Sequence, residues 1–201
     1  MNPGALEALI NGIEDGIGIV AGNFTMSNQK GEISYYFNGN KIRVINRKES
    51  YKAWATRKIF LRAGSFIVRT EIAKANMFNP KYRRYEDVDV FLKWMRESTV
   101  KYIPFDTMNY DVSFAVASKA SEGRWDSDYL FHLDFEKGNF WRNCVMGDLL
   151  RTAVRNYPSK LDQLKSLYSG FFFYKTVAKY TYAIYNLPSI IMRKLKLKKS
   201  E

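Results

Sequence analysis

The residues able to do chemistry are few. Glu86-Asp87 is a pair of carboxylates at the head of a run, Glu86 to Glu97, in which Val88, Phe91, Leu92 and Met95 recur at helical spacing. The first turn of a helix holds a carboxylate rigidly and favours its ionised form through the dipole. That state suits proton abstraction and helix capping alike, and the residues alone leave both open. Asp89 lies two positions on, about 200° around the axis at 3.6 residues per turn, so it is expected to face away from Asp87. Gly64-Ser65 marks a break before the strand candidate Phe66-Ile67-Val68. His132 is the single histidine and Cys144 the single cysteine. A Ser-His-Asp or Cys-His triad is therefore a poor reading, and a multi-histidine or multi-cysteine metal site is excluded. His132 reads as a packing or surface residue, and Cys144 as a buried, inert thiol.

The elements that must position these residues alternate along the first half of the chain. Asn2 is placed to cap a helix with Pro3 at its first position, and Leu6, Leu9, Ile10 and Ile13 follow at helical spacing. Glu14-Asp15-Gly16 ends it, and Ile17 to Gly22 reads as a buried strand. A helix feeding straight into a buried strand is the second half of a βαβ unit. The first strand of that unit is thus expected upstream, and the sheet is expected to show an exposed apolar edge or face. Ile33, Tyr35 and Phe37, then Ile42 and Val44, alternate around Asn38-Gly39-Asn40 and predict a hairpin. Ser50 caps a predicted helix through about Leu61, and Thr70 opens another short one. Val100 to Ile103 reads as a strand closed by Pro104. Beyond an irregular stretch from Tyr110 to Arg124, helices are predicted over 127–156 and 159–187, separated by Pro158. Trp54, Trp94 and Trp141 read as core.

The chain has 201 residues, of which 46% are hydrophobic and 16% aromatic, which excludes disorder over most of its length. Lys and Arg number 32 against 20 Asp and Glu, a net charge of +12. Such a balance favours nucleic acid, an anionic membrane surface or phosphorylated substrates. No nucleic-acid recognition signature accompanies it, so nucleic acid is not an expected partner. Met1 to Gly4 carries no basic start and no apolar run of the secretory type.

The segment Gly64 to Tyr110, GSFIVRTEIAKANMFNPKYRRYEDVDVFLKWMRESTVKYIPFDTMNY, resembles the acceptor-side half of a family 2 glycosyltransferase of the GT-A fold. The matching features come in order: a Gly-Ser strand start, a helix before Met77-Phe78-Asn79, then Tyr85-Glu86-Asp87, a helix ending near Lys93-Trp94-Met95-Arg96, and a Tyr-Ile-Pro strand. The opening PGALEALINGIEDGIGIVAGNF is similar to the stretch that follows that family's metal-binding Asp-x-Asp motif. The likeness covers roughly residues 2–117. It implies an α/β fold, a partial Rossmann-like GT-A sheet over 1–117 with a helical extension over 118–201. It also implies inverting transfer of a sugar from a nucleotide-sugar donor to a hydroxyl of a saccharide or lipid-linked acceptor, in surface polysaccharide or glycolipid biosynthesis.

On that resemblance Asp87 is the general base with Glu86 beside it, and Gly64 and Ser65 are substrate contacts. Trp125 is the tryptophan best placed after an irregular segment to stack on a sugar ring. A divalent metal, Mn or Mg, is the family's cofactor. Its Asp-x-Asp ligands and the nucleotide-binding half are absent from this chain, so the chain is expected to show little or no nucleotide-sugar binding on its own. The histidine that many members carry after the Tyr-Ile-Pro strand is also missing, since that region reads Asn109-Tyr110-Asp111. The alternative is a non-catalytic remnant that binds a membrane or a partner chain.

The C-terminal third bears on that alternative. Phe171 to Tyr174, Tyr180, Tyr182 and Tyr185 surround Lys175 and Lys179, and a basic tail follows from Arg193. Aromatics and lysines on one helix suit an anionic membrane interface, or else packing within the domain. No stretch reaches the ~20 apolar residues of a membrane span. The expected location is cytoplasmic, peripheral at the inner face of the cell membrane.

Overall fold

A computed structural model of the chain describes residues 1–27, 33–36, 41–80, 86–111 and 134–197. The Asn38-Gly39-Asn40 turn, Tyr85, Trp125, His132 and the last residues of the basic tail lie outside them.

The chain folds as a mixed α/β structure around a five-stranded sheet. Its centre is β1 (Ile17–Ser27), apolar and buried over its first half. β1 pairs in parallel with β5 (Thr99–Asp111), Ile19 lying opposite Val100 and Ala21 opposite Tyr102. The other edge of β1 is shared by two short antiparallel strands, β4 (Phe66–Val68) against Ile19–Ala21 and β2 (Ile33–Tyr36) against Phe24–Ser27. β3 (Arg43–Ile45) runs antiparallel to β5 along its outer edge. The predicted hairpin therefore does not form: β2 joins β1 while β3 joins β5, at opposite sides of the sheet. Alternation shows that a strand has one covered face, and it is silent on which neighbour the strand takes.

Pro104 does not close β5. The register jumps from Ala21–Tyr102 to Asn23–Asp106, so β5 carries two extra residues around the proline. A bulge is where a residue without an N–H fits within a ladder. Gly22 lies opposite, and a Cβ there would meet Thr107 Cγ2 at 2.4 Å and the Phe105 carbonyl at 2.8 Å. The bulged strand leans on the space the glycine leaves.

Both faces of the sheet are covered, as a parallel pair requires. On one side α1 (Ala5–Asn11) sets Leu9 on Ile17, Val20 and Ile103. Its cap is Gly4 in the left-handed region rather than Asn2. Asn2 is instead pinned to β5, its amide donating to Thr107 O at 2.6 Å and its side chain to Asp106 O at 2.8 Å. Leu6 and Ile10 on the outer side of α1, and Ile13 just beyond its end, stay exposed.

On the other side α2 (Ser50–Ala55), α4 (Glu86–Glu97) and α5 (Phe140–Asn156) bury Trp54, Phe91, Trp94, Met95, Val145 and Leu150 with Ile19 and Ala21. α2 stops six residues before the predicted end. Arg57 turns into the left-handed region at φ 57, and Ile59 and Leu61 continue as buried chain. α5 begins at Phe140 rather than 127, behind Gly138 at φ 84 and with the Asn139 side chain accepting from Arg142 N at 3.2 Å. α3 (Thr70–Ala75) precedes α4, and α6 (Leu161–Leu167) follows Pro158. α7 (Tyr174–Leu197) starts after a turn and runs through Pro188, where the predicted helix ended one residue earlier. Trp54 and Trp94 are core as expected; Trp141 is only partly buried, edge-on to Tyr185.

Candidate functional site

α4 fixes the candidate carboxylates relative to the sheet. Its last residues meet the amino ends of β1 and β5: a Cβ on Gly18 would lie 2.4 Å from Ser98 Cβ. About two turns before Ser98 the Phe91 ring stands edge-on to Phe66 at 4.9 Å, and Phe66 pairs with Ala21. Asp87 is four residues before Phe91, on the same side of the helix and one turn closer to the carboxyl half of the sheet.

Asp87 is part-buried, and its Oδ1 accepts the Val88 amide at 2.8 Å. Among the described residues no ion pair neutralises it or Glu86. Asp89 differs: its Oδ2 meets Lys93 Nζ at 2.7 Å, one turn along the same helix. The two letters of Asp87-Val88-Asp89 thus take separate partners and do not converge as metal ligands would. Indeed, no group of three or more His, Cys, Asp or Glu gathers at metal-binding spacing among the described residues.

Gly64 and Ser65 lie at the start of β4, beside the second half of β1, where Gly22 N donates to Ser65 O at 2.8 Å. Gly64 is exposed and adopts φ 92, and a Cβ there would sit 2.9 Å from Met108 Sδ. Ser65 is fully buried. Its hydroxyl donates to Arg62 O at 2.8 Å and accepts from Arg62 N at 3.2 Å, closing the turn that presents Gly64. The structure brings Gly64, Ser65 and the head of α4 toward one half of the sheet; Trp125 lies outside the described residues.

Two features of that half were missed in the sequence. The Arg62 guanidinium stacks on the Tyr110 ring, 3.9 Å from its centroid, next to Met108 and Gly64. Cation–aromatic stacking leaves no spacing signal when 48 residues separate the partners. Tyr102, deep in β5, donates to the Asn23 side chain, and Thr107 Oγ1 donates to Asn23 O at 2.7 Å. Burial pushes the Tyr102 phenol far above its ordinary value, with Asp106 adding and Arg43 opposing.

A cleft of about 500 Å³ lies elsewhere, at the amino ends of β1 and β5. Gly16, Gly18, Arg47, Lys48 and Arg69 line it, and Arg69 is held by its Nε on Ile17 O at 2.7 Å. No protein-family model matches the chain, and no curated protein matches it.

Proposed function

We propose that this chain carries the acceptor side of a family 2 glycosyltransferase built on part of a GT-A sheet, with Asp87 as the general base. The observation that supports it most is the contrast within α4. Asp89 is neutralised by Lys93, whereas Asp87, with Oδ1 on the Val88 amide, has no ion-pair partner among the described residues.

In this reaction an acceptor hydroxyl attacks the anomeric carbon of the donor from the face opposite the leaving group. The C–O bond forms as the bond to the nucleoside diphosphate breaks, and the hydroxyl proton passes to Asp87. The Val88 N–H on Oδ1 orients the carboxylate. Glu86 tunes the position of its neighbour. Gly64, without a side chain, lets the acceptor approach the β4 turn, and Ser65 holds that turn in shape.

The test is turnover and melting temperature measured together in the full-length protein for three variants. Asp87→Asn is expected to keep the fold and lose the ~10²–10⁴-fold that general base catalysis supplies. Asp89→Asn loses only a surface pair, about 0.3–0.5 kcal/mol, with turnover retained. Glu86→Gln falls between. Full turnover in Asp87→Asn would overturn the assignment and leave a helix cap worth about 1 kcal/mol. The chain of 201 residues is expected to show no micromolar affinity for uridine or guanosine diphosphate sugars with manganese by titration calorimetry. A metal-dependent micromolar heat would place the donor site within it.

A second reading, a module that binds a membrane or partner without catalysis, draws support from the exposed Leu6 and Ile10 of α1 with Ile13 just beyond it, and from a cleft of about 500 Å³ that lies away from Asp87.

A further inference from the structure

From Gln163 to Ser200 the sequence holds eight Lys and Arg and no Asp or Glu. α7 fills most of this stretch, and the structure divides its sides sharply. One side is locked down. Ala178 and Thr181 are buried, the Thr181 hydroxyl lies 3.9 Å from Cys144 Sγ, and the Tyr185 ring stands edge-on to Trp141 at 5.7 Å. Of the aromatics ahead of the helix, Phe171 is stacked on Phe135 at 5.0 Å and Tyr174 lies 6.3 Å from it, so neither is free for a partner.

The other side is apolar and bare. Phe173 is 56% exposed, Tyr180 59%, Ile184 68% and Leu187 52%. With Val177 they stand at steps of four, three, four and three residues, a single stripe along the helix. The same step continues in the sequence to Ile191.

A stripe of this spacing fits a partner helix or a bilayer surface, and charge decides between them. A second α7 would bring lysine toward lysine, with none of the opposite charges that set helix pairing. An anionic leaflet supplies the missing complement, each basic residue near the surface contributing roughly fivefold in binding. Crossing is a different matter, since no helix among the described residues is long and apolar enough to span a membrane. We propose that α7 lies in the surface of an anionic lipid bilayer, with Phe173, Val177, Tyr180, Ile184 and Leu187 at the boundary of headgroups and acyl chains. Lys179, exposed beside the stripe, reaches for lipid phosphates.

This proposal stands apart from glycosyl transfer, and its readout needs no substrate. The full chain is sedimented with vesicles of pure phosphatidylcholine and with vesicles carrying about one third phosphatidylglycerol, at low and high salt. Binding is expected to the anionic vesicles alone and to weaken with salt. Ile184→Glu with Leu187→Glu is expected to lower the partition at least tenfold, with melting temperature unchanged because both side chains already face solvent. Lys179→Glu is expected to lower it severalfold with the stripe intact. Equal binding to both vesicle types, no binding to either, or wild-type binding by the double variant overturns the proposal. So does a dimer, seen by sedimentation equilibrium at micromolar protein, that the double variant dissociates in the absence of vesicle binding. That result assigns the stripe to a second copy of the chain.

Discussion

Gly147 offers a test in which propensity and packing predict opposite signs. It sits in the middle of α5, where a glycine ordinarily costs about 1 kcal/mol relative to alanine, so Gly147→Ala in an open helix would stabilise by that amount. Here the start of α7 crosses directly over it. A Cβ on Gly147 would lie 2.3 Å from Tyr174 O and 2.6 Å from Tyr174 C. Both are backbone atoms, so no side chain can swing away, and α7 must back off by about 1 Å to restore an ordinary contact. Overpacking of this kind costs roughly 1–3 kcal/mol, which exceeds the propensity gain across most of that range.

A net loss of about 1 kcal/mol lowers the melting temperature by about 2–4 °C in a chain of this size. The retreat also loosens what α7 covers: the Cys144–Thr181 contact, and the Asn186 side chain that donates to Thr56 O at 3.1 Å. Two measurements follow: urea unfolding for stability, and the reaction rate of Cys144 with a thiol reagent. Gly147→Ala is expected to be less stable and faster to react. Gly170→Ala, where a Cβ meets nothing within 4 Å, is the control and is expected within about 0.5 kcal/mol of wild type. A Gly147→Ala protein that is more stable, with Cys144 as protected as before, would refute the packing argument.

Three further outcomes are expected. Arg57 holds φ 57 while its guanidinium pairs with Asp148 at 2.6 Å, so Arg57→Ala keeps the strain and loses the pair, whereas Arg57→Gly relieves the strain; the glycine variant is expected to be more stable by about 1 kcal/mol in urea unfolding. Ser65→Ala is expected to cost about 1–2 kcal/mol by releasing both turn hydrogen bonds, with turnover per folded molecule unchanged if the hydroxyl serves the turn alone. Burial raises Cys144, Tyr102 and Tyr168, so each keeps its proton in the folded chain at a pH where the unfolded chain has released it. Their contribution to stability is whole below the ordinary thiol and phenol values and is lost as pH rises through the folded ones; unfolding free energy measured from neutral to alkaline pH is expected to fall in that direction, and a rise would contradict the burial.

Elements defined by local pattern were legible in the sequence. The apolar start of β1, the short β4, α3 and the whole of α4 stand where periodicity puts them, and with them Glu86, Asp87 and the separation of Asp89. What failed was set by contacts distant in sequence. β2 and β3 alternate as a hairpin would, but β1 and β5 offered each a longer partner edge. Pro104 reads as a stop until β5 is seen to bulge over Gly22. Asn2 has the chemistry of a cap, yet two hydrogen bonds to β5, more than 100 residues away, claim it. α2 stops at a residue with no Cβ-free excuse for positive φ, held there by a carboxylate of α5. At the candidate site the carboxylates came from pattern, while Arg62 on Tyr110 came only from the fold.

The couplings that escaped the sequence also govern what α7 does to the rest of the molecule. α5 packs Val145, Leu149 and Leu150 into the same core as Ile19 and Phe91, so it is continuous with the face of the sheet that positions α4. α7 is clasped to α5 over Gly147 and Cys144, and Asn186 ties it directly to the end of α2. Asp148 closes the frame by bridging Arg57 of the α2 turn and Arg151 of its own helix. No glycine-rich or polar linker separates α7 from these contacts between Asn139 and Asn186. A surface held through the outer stripe of α7 therefore orients the sheet, and Asp87 with it, as one body. An amphipathic helix on a flexible tether would set only the distance of the sheet from that surface; a helix braced by α2 and α5 also sets its tilt.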